Sequence, residues 1–241
     1  MDQTASNSLQ QSFWNEWNTK NTEFQIRDVS ARQAEVICKW LNEINRTDLK
    51  IAEIGCGSGW FCPILAKYGS VVGTDLSDEV LARARHGAPG VTFIAGDFMA
   101  LEMGRNAFDV VVSLEVLSHV ADQRAFLAKL ASHLRPGGLL MMATQNRFVL
   151  ENFNDVPPPA PGQLRRWVDQ RELRALLTPE FDVREMFSIT PRANRGFMRL
   201  VNSTSLNRPI RVLVGNRLEW VKERMGLGWS LMTLARKRAG F

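Results

Sequence analysis

The sequence has few of the features that mark metal-binding, membrane-spanning and secreted proteins. Its 241 residues include three cysteines, Cys38, Cys56 and Cys62, and none of them forms the C-x-x-C pair typical of metal or redox sites. No run of eighteen apolar residues is present, so no transmembrane helix is predicted. The first residues lack a basic segment followed by an apolar core, which argues against a secretory signal. We therefore expect a cytoplasmic protein with reduced thiols, and we assign no metal ligands, although the sequence alone does not decide whether a metal is used.

Basic residues are unevenly distributed along the chain. Residues 207–241 hold eight Lys and Arg and two Glu, a net charge of +6, so the rest of the chain contributes −1 to the total of +5. Between Pro209 and Lys237, apolar and basic residues alternate in a way that predicts an amphipathic helix. Such a segment can pack on its own sheet or form a homodimer, and it can also make peripheral contact with an anionic membrane. Nucleic acid is not expected as a partner, because no recognised binding motif accompanies the charge.

Short apolar runs alternate with helical patterns through the middle of the chain. Strands are predicted near residues 50–54, 71–75, 91–95, 108–113 and 138–144. Helices are predicted near 59–68, 78–86 and 122–134, with Asp122 as the N-cap of the last and Pro136-Gly137-Gly138 as its stop signal. Residues 7–45 read as helical, and a further helix is expected from Asp169 to Leu177. Strands that alternate with helices imply a parallel sheet.

The most informative stretch is Ile51-Ala52-Glu53-Ile54-Gly55-Cys56-Gly57-Ser58-Gly59. An apolar strand runs into three alternate glycines, which allow the backbone to turn sharply and approach a ligand closely. Asp75 ends the next apolar run, twenty residues after Gly55, where its carboxylate can accept both hydroxyls of a ribose. The strand end places the loop at the carboxyl edge of a parallel sheet, where α/β proteins bind ligands. The layout predicts a pocket for an adenosyl cofactor.

Two residues beside the glycines indicate which adenosyl cofactor the loop suits. A dinucleotide fingerprint has a third small residue at the position of Trp60, and an indole there argues against a pyrophosphate. Glu53 lies two residues before Gly55, and its carboxylate would repel phosphates while suiting a cationic amino group and a sulfonium. The loop therefore favours S-adenosylmethionine, and a nucleotide-dependent oxidoreductase is disfavoured.

With these features the chain resembles the class I S-adenosylmethionine-dependent methyltransferases. The resemblance covers roughly residues 45–145, and its motifs occur in the family's order. They are Glu53 to Gly59, Gly73-Thr74-Asp75-Leu76-Ser77, Gly96-Asp97-Phe98, Phe108 to Ser113, Leu114 to Val120, and Leu134-Arg135-Pro136-Gly137-Gly138. Within the family, Glu115-Val116-Leu117-Ser118-His119-Val120 is most similar to the small-molecule branch that includes the ubiquinone-pathway O-methyltransferases.

The resemblance implies a fold and a division of the chain. The fold is α/β, a Rossmann-like doubly wound sheet of seven mostly parallel strands, with an antiparallel C-terminal hairpin and an N-terminal helical lid. Strands near 181–189 and 197–202 would supply the hairpin. One methyltransferase domain, residues 1–241, would comprise a lid (1–45), a cofactor-binding core (46–145), a substrate-side half (146–206) and the basic amphipathic segment (207–241).

The resemblance also assigns residues to the cofactor. Asp97 is expected to contact the adenine amino group, although an aspartate in such a turn can also cap its own backbone. Trp14 and Trp17 can fold over the cofactor as part of the lid, or they can serve ordinary helix packing. The predicted cofactor-binding residues are Trp14, Glu53, Gly55, Cys56, Gly57, Gly59, Asp75, Leu76, Asp97, Phe98 and Leu114.

His119 is the candidate catalytic base, because it follows the fourth strand at the rim of the pocket and imidazole titrates near neutral pH. A packing role is the alternative for His119, and Glu115 can belong to the site edge or to the solvated surface. His86 and His133 are expected at the surface, and Trp60 is expected to pack under the loop. Several arginines of the substrate-side half suit a carboxylate or phosphate of a substrate, or are simply solvated: Arg165, Arg166, Arg192, Arg195 and Arg199.

Together these features predict an S-adenosylmethionine-dependent methyltransferase that moves a methyl group to a small molecule by in-line displacement. A hydroxyl oxygen is the favoured nucleophile, because the quinone-pathway likeness and the His119 base both point to it. The segment Ser113-Leu114-Glu115-Val116 lacks the Asn-Pro-Pro-Tyr-like sequence of several amino-methylating branches. Methylation of a small amine or of carbon stays open, as does a non-catalytic regulatory protein that binds the cofactor.

Overall fold

The computed structural model describes residues 9–16, 28–196, 221 and 223–240. Seven strands form one sheet in the order β3-β2-β1-β4-β5-β7-β6. The strands are β1 (Leu49–Ile54), β2 (Gly69–Asp75), β3 (Thr92–Ala95), β4 (Phe108–Leu114), β5 (Leu134–Gln145), β6 (Phe181–Ile189) and β7 (Ser230–Lys237). The first five strands pair in parallel, and β7 pairs antiparallel with both β5 and β6. The predicted fold class is thereby confirmed.

Helices cover both faces of this sheet. They are α1 (9–16), α2 (Asp28–Ile44), α3 (Cys62–Leu65), α4 (Asp78–Gly87), α5 (Gln123–His133), α6 (Arg147–Phe153) and α7 (Gln170–Leu177). One buried cluster joins α2, α3 and α4 to the sheet around Trp40, which is 1% exposed. A second cluster joins α5 and α7 to the opposite face around Phe126. Within the described ranges, no helix is long and apolar enough to cross a membrane.

Helix ends follow the capping signals of the sequence. The Asp122 side chain accepts from the Ala125 backbone N–H at 2.9 Å, as predicted for the start of α5. Asp169 begins α7 with a complete capping box to Glu172. Two predicted limits were wrong. The helix expected over 59–68 is four residues of α-helix followed by a 3₁₀ turn, and α5 ends at His133, so that Pro136-Gly137-Gly138 lies inside β5.

The C-terminal segment differs most from its prediction. The strand predicted at 197–202 lies outside the described residues, and the partner of β6 is β7, inside the segment that the sequence assigned to a helix. Strands β5 and β6 pair with the two edges of β7, and helices cover its two faces: Met232 lies in one core cluster and Leu231 and Ala235 lie in the other, all with no exposed surface. A strand buried on both faces has no two-residue alternation, so periodicity does not separate it from a buried helix.

Candidate cofactor and active site

The glycine loop after β1 has the conformation that its sequence predicts. Gly55, Gly57 and Gly59 all have positive φ angles, of 74°, 54° and 68°. A Cβ atom on Gly55 would lie 2.2 Å from Cγ2 of Val116, so β1 and the segment after β4 approach each other closely there. A Cβ atom on Gly57 would have no neighbour within 4 Å. The middle of the loop thus presents bare backbone to open space, as a bound ligand requires.

Asp75 is built into this loop from the end of β2. Its Oδ2 accepts from the Gly57 backbone N–H at 2.8 Å, and its Oδ1 accepts from the Ser77 N–H at 2.9 Å. Burial raises the pKa of the Asp75 carboxyl, and these backbone hydrogen bonds partly oppose the rise. Each carboxylate oxygen has a second acceptor position. The carboxylate can therefore accept two further hydrogen bonds, as a ribose diol would supply.

Glu53 lies beneath the loop and is 3% exposed. Its Oε2 accepts from the Cys62 thiol at 3.0 Å, and Cys56 is buried nearby. Burial raises the pKa of Glu53 well above its ordinary value, and the neighbouring Cys62 and Asp75 raise it further. A cation above the loop would lower that pKa again, which is compatible with the cationic ligand predicted from the position of Glu53.

Helix α1 crosses the carboxyl edge of the sheet near the glycine loop. On one side of this helix, Ser77 Oγ donates to Asn15 Oδ1 at 2.5 Å. On another side of the same turn, the Trp14 ring stands edge-on to the His119 ring, with 4.8 Å between the centroids. Asn15 thus reaches the end of β2 and Trp14 the end of β4, while the glycine loop follows β1, the strand between them. This placement suits the lid expected of Trp14, whereas Trp17 lies outside the described residues.

His119 has a defined tautomer. Its Nδ1 lies 2.8 Å from the Leu164 carbonyl oxygen, which can only accept, so Nδ1 carries the proton and Nε2 is an acceptor. Burial lowers the pKa of His119, and the positive charge of Arg165 lowers it further. The hydrogen bond to the Leu164 carbonyl oxygen acts in the opposite direction and raises it. The imidazole is therefore neutral at pH 7 and can accept a proton at Nε2.

The remaining predicted cofactor residues lie at the ends of β2, β3 and β4. Asp97 Oδ1 accepts from the Met99 N–H at 2.9 Å, and the Gly96 N–H donates to the Asp75 carbonyl oxygen at 2.9 Å, so this turn adjoins Asp75. The Phe98 ring packs against Phe126 in the core, so any contact of Phe98 with a cofactor falls to its backbone. Two half-buried residues complete the set, Leu76 directly after β2 and Leu114 at the end of β4.

Three other expectations, for His86, His133 and Trp60, can be compared with the structure. His86 is exposed, but His133 is 2% exposed and its Nδ1 is bonded to the Gly104 carbonyl oxygen, so its expected surface position was wrong. His133 lies on the buried face of α5, where the helix meets the Phe98 ring. Trp60 is partly buried, with its ring 5.2 Å from that of Phe61.

Glu115 belongs to the interior rather than to the solvated surface. Gln33 of α2 and Ser230 of β7 both donate to its Oε1, each at 2.5 Å. Its Oε2 has almost no accessible surface and no hydrogen-bond partner within the described residues. Burial raises the pKa of Glu115 to about 7, although the two hydrogen bonds act to lower it. The Glu115 backbone has a φ of +61°. No local sequence pattern predicts this contact between α2, β7 and the segment after β4.

The Glu115→Gln variant is expected to remove a pH dependence of stability. Because the folded state raises this pKa from 4.5 to about 7, ionisation opposes folding as the pH rises between those values. The free energy of unfolding of the wild type should therefore fall by roughly 3 kcal/mol across that range, relative to the variant. Urea unfolding at pH 5 and pH 8 measures this difference. Glu102→Gln, at a side chain that is 83% exposed, serves as the control and should not alter the slope.

The arginines of the substrate-side half divide into paired and unpaired side chains. Arg192 pairs with Asp28 at 2.8 Å, and Arg195 pairs with Asp155 at 3.3 Å. Arg166 donates to the Ala121 carbonyl oxygen, and Arg199 lies outside the described residues. Arg165 has no carboxylate partner in the described part of the chain. A cavity of about 560 Å³ adjoins α6, lined in part by Trp167 and Arg195, and includes no predicted cofactor residue.

The doubly wound sheet, the glycine loop and the acid at the end of β2 define an α/β protein built to hold an adenosyl cofactor. A family model described as a methyltransferase domain matches residues 52–142. A ubiquinone biosynthesis O-methyltransferase of Rhizobium etli (strain CIAT 652) is 32% identical over 186 residues, which cover 70% of this chain and 73% of the relative. The chain therefore belongs to the S-adenosylmethionine-dependent methyltransferase family.

Another relative agrees with this assignment, and a solved structure shares the fold. The ubiquinone biosynthesis O-methyltransferase of Bradyrhizobium sp. (strain ORS 278) is 38% identical over 126 residues, or 51% of this chain. In that comparison the chain spans about half of the relative's length, 49%. The N-methyltransferase NodS from Bradyrhizobium japonicum WM9, in complex with S-adenosyl-L-homocysteine, shares the fold at 14% identity, with a TM-score of 0.66 over 95% of this chain and 98% of NodS.

Proposed function

We propose that this chain transfers a methyl group from S-adenosylmethionine to a hydroxyl oxygen of a small molecule by in-line displacement. The observation that carries the proposal is the neutral His119, with Nε2 as acceptor, in contact with the Trp14 lid. Val116, three residues before His119, lies against Gly55 of the glycine loop. A proton acceptor thus stands on the short segment that also adjoins the predicted cofactor loop.

The residues present fit S-adenosylmethionine, which supplies an electrophilic methyl group on a sulfonium. Asp75 would hold the ribose, the turn at Asp97 the adenine, and Gly57 would leave room for the ligand along the loop. The buried carboxyl of Glu53 below the loop suits the cationic end, since a cation offsets the cost of ionising it.

The chain's own contribution to the reaction is positioning, exclusion of water and proton transfer. Trp14 and the rest of α1 would cover the site and keep water from the acceptor. Holding the acceptor oxygen in line with the methyl group can supply several kcal/mol of the barrier reduction. His119 Nε2 would receive the hydroxyl proton as the oxygen attacks, and general-base catalysis of this kind typically contributes about 10²–10⁴-fold.

The first test compares cofactor binding and turnover. We expect micromolar binding of S-adenosylmethionine and S-adenosylhomocysteine by calorimetry, and S-adenosylhomocysteine release with at least one phenol or catechol. Each hydroxyl acceptor is paired with the matching amine, such as phenol with aniline, and mass spectrometry identifies the methylated atom. An N-methylated or C-methylated product would overturn the choice of a hydroxyl oxygen. Cofactor binding without turnover of any acceptor would support the regulatory alternative.

A further inference from the structure

Arg165 is held beside His119 by backbone contacts on both of its sides. The Leu164 carbonyl oxygen bonds to His119 Nδ1 at 2.8 Å, and the Arg166 N–H donates to the Ser118 carbonyl oxygen at 2.7 Å. The segment that contains Arg165 therefore runs along the segment that contains His119. The position of Arg165 at the rim of the site is fixed by the main chain and does not depend on its flexible side chain.

Within the residues that the structure describes, neutral groups orient the guanidinium of Arg165. It donates to the Pro157 carbonyl oxygen at 2.6 Å and to Gln163 Oε1 at 2.9 Å, and it lies over the Trp167 ring at 5.1 Å from the centroid. The Gln163 side chain is itself held in place, because its Oε1 also accepts from the Ala160 backbone N–H. A guanidinium has five N–H donors in a rigid plane, so these two bonds orient it and leave donors for a further acceptor.

The charge of Arg165 is not balanced within the described residues. Two other arginines are balanced, because Arg147 lies 2.6 Å from Asp169 and 2.8 Å from Glu172, and Arg195 pairs with Asp155. The adjacent Arg166 is exposed and donates to the Ala121 carbonyl oxygen. Partial burial lowers the pKa of Arg165, and its charge reaches far enough to lower the pKa of His119. A partly desolvated cation, already oriented and without a carboxylate partner, is an arrangement that an anionic ligand would stabilise.

We propose that Arg165 binds a carboxylate of the methyl acceptor, so that the acceptor is a small hydroxylated molecule with a carboxylate group. This inference rests on the proposed methyl transfer, since it takes the space beside His119 to be the acceptor site. One guanidinium balances the single charge of a carboxylate through two parallel hydrogen bonds, whereas a phosphate dianion would keep an excess charge. The carboxylate would also offset the effect of Arg165 on His119 and strengthen the imidazole as a base.

Benzoate and benzamide test the proposal, because they have similar shapes and differ in charge. We expect the wild type, saturated with S-adenosylhomocysteine, to bind benzoate at least about 10-fold more tightly than benzamide in a calorimetric titration. Arg165→Gln should abolish that preference. Arg166→Gln, which removes the adjacent positive charge, should keep it. Equal affinity of the wild type for both compounds, or a preference that survives Arg165→Gln, would overturn the proposal.

The NMR titration of the His119 ring gives an independent readout. Arg165→Gln should raise the pKa of His119, and saturating benzoate should raise it in the wild type but not in the variant. An unchanged His119 pKa on addition of benzoate would contradict binding at Arg165. Failure of the wild type to bind S-adenosylhomocysteine would count against the proposed function instead, and the benzoate titration without cofactor would still report on Arg165. Unchanged thermal melting of Arg165→Gln controls for folding.

Discussion

Replacing Asp75 with alanine is expected to weaken the binding of S-adenosylhomocysteine by about 100-fold or more. The carboxylate is where a ribose diol would bind, and hydrogen bonds to a charged group each contribute about 1.5–3 kcal/mol. The variant also loses the bonds from the Gly57 and Ser77 N–H groups that tie the loop to β2. Asp75→Asn can still accept through one oxygen, so its affinity should fall between those of alanine and the wild type.

Calorimetric titration of both Asp75 variants and of a matched control measures this effect. Asp182→Ala removes an aspartate of β6 that pairs with Arg238 at 3.0 Å, and it should leave the affinity unchanged. Thermal melting without ligand separates a loss of binding from a loss of folding. If folded Asp75→Ala bound the cofactor within about threefold of the wild type, the ribose role of Asp75 would be wrong, since about 0.6 kcal/mol is less than one such hydrogen bond.

The parallel half of the fold could be predicted from the sequence because its signals are local. The first five strands contain short apolar runs bounded by turn residues, as at Gly55 and Asp75, although β5 begins four residues before its predicted apolar run. All five predicted strands overlap the observed ones, and those at β1, β3 and β4 agree to within one residue at each end. β7 could not be predicted, because its place between β5 and β6 depends on partners about 50 and 90 residues away. Burial on both faces removed the alternation that marks a strand.

The candidate site likewise contains residues with a local sequence signal and residues without one. The glycines, Glu53 and Asp75 could be predicted as site residues because they follow neighbouring strands at a characteristic spacing along the chain. The contact of Glu115 with Ser230 joins residues 115 positions apart, and that of Ser77 with Asn15 joins residues 62 positions apart. Contacts at such separations have no local sequence signal, so the interior position of Glu115 and the proximity of α1 to His119 required the structure.

His119→Gln is expected to lower kcat by about 100-fold or more and to leave the affinity for S-adenosylhomocysteine unchanged. Glutamine can keep a hydrogen bond to the Leu164 carbonyl oxygen, but it has no group that can take a proton near neutral pH. His86→Gln is the matched control, because His86 is exposed and bonded to the Ala82 carbonyl oxygen of its own helix. Initial rates with the acceptor found in the turnover screen give the comparison.

The pH dependence of kcat/KM, which reports the ionisation of the free enzyme, distinguishes a base from a packing residue. A base must be unprotonated, so the wild-type rate should rise with pH through the pKa of His119 and level off above it. Burial and the charge of Arg165 lower that pKa from 6.5, so the plateau should begin below the pH expected for a solvated histidine. His119→Gln should lose this acidic limb, and Arg165→Gln should move it to higher pH. A His119→Gln profile that keeps the limb, with only a modest fall in rate, would show that His119 supports Trp14 and does not accept the proton.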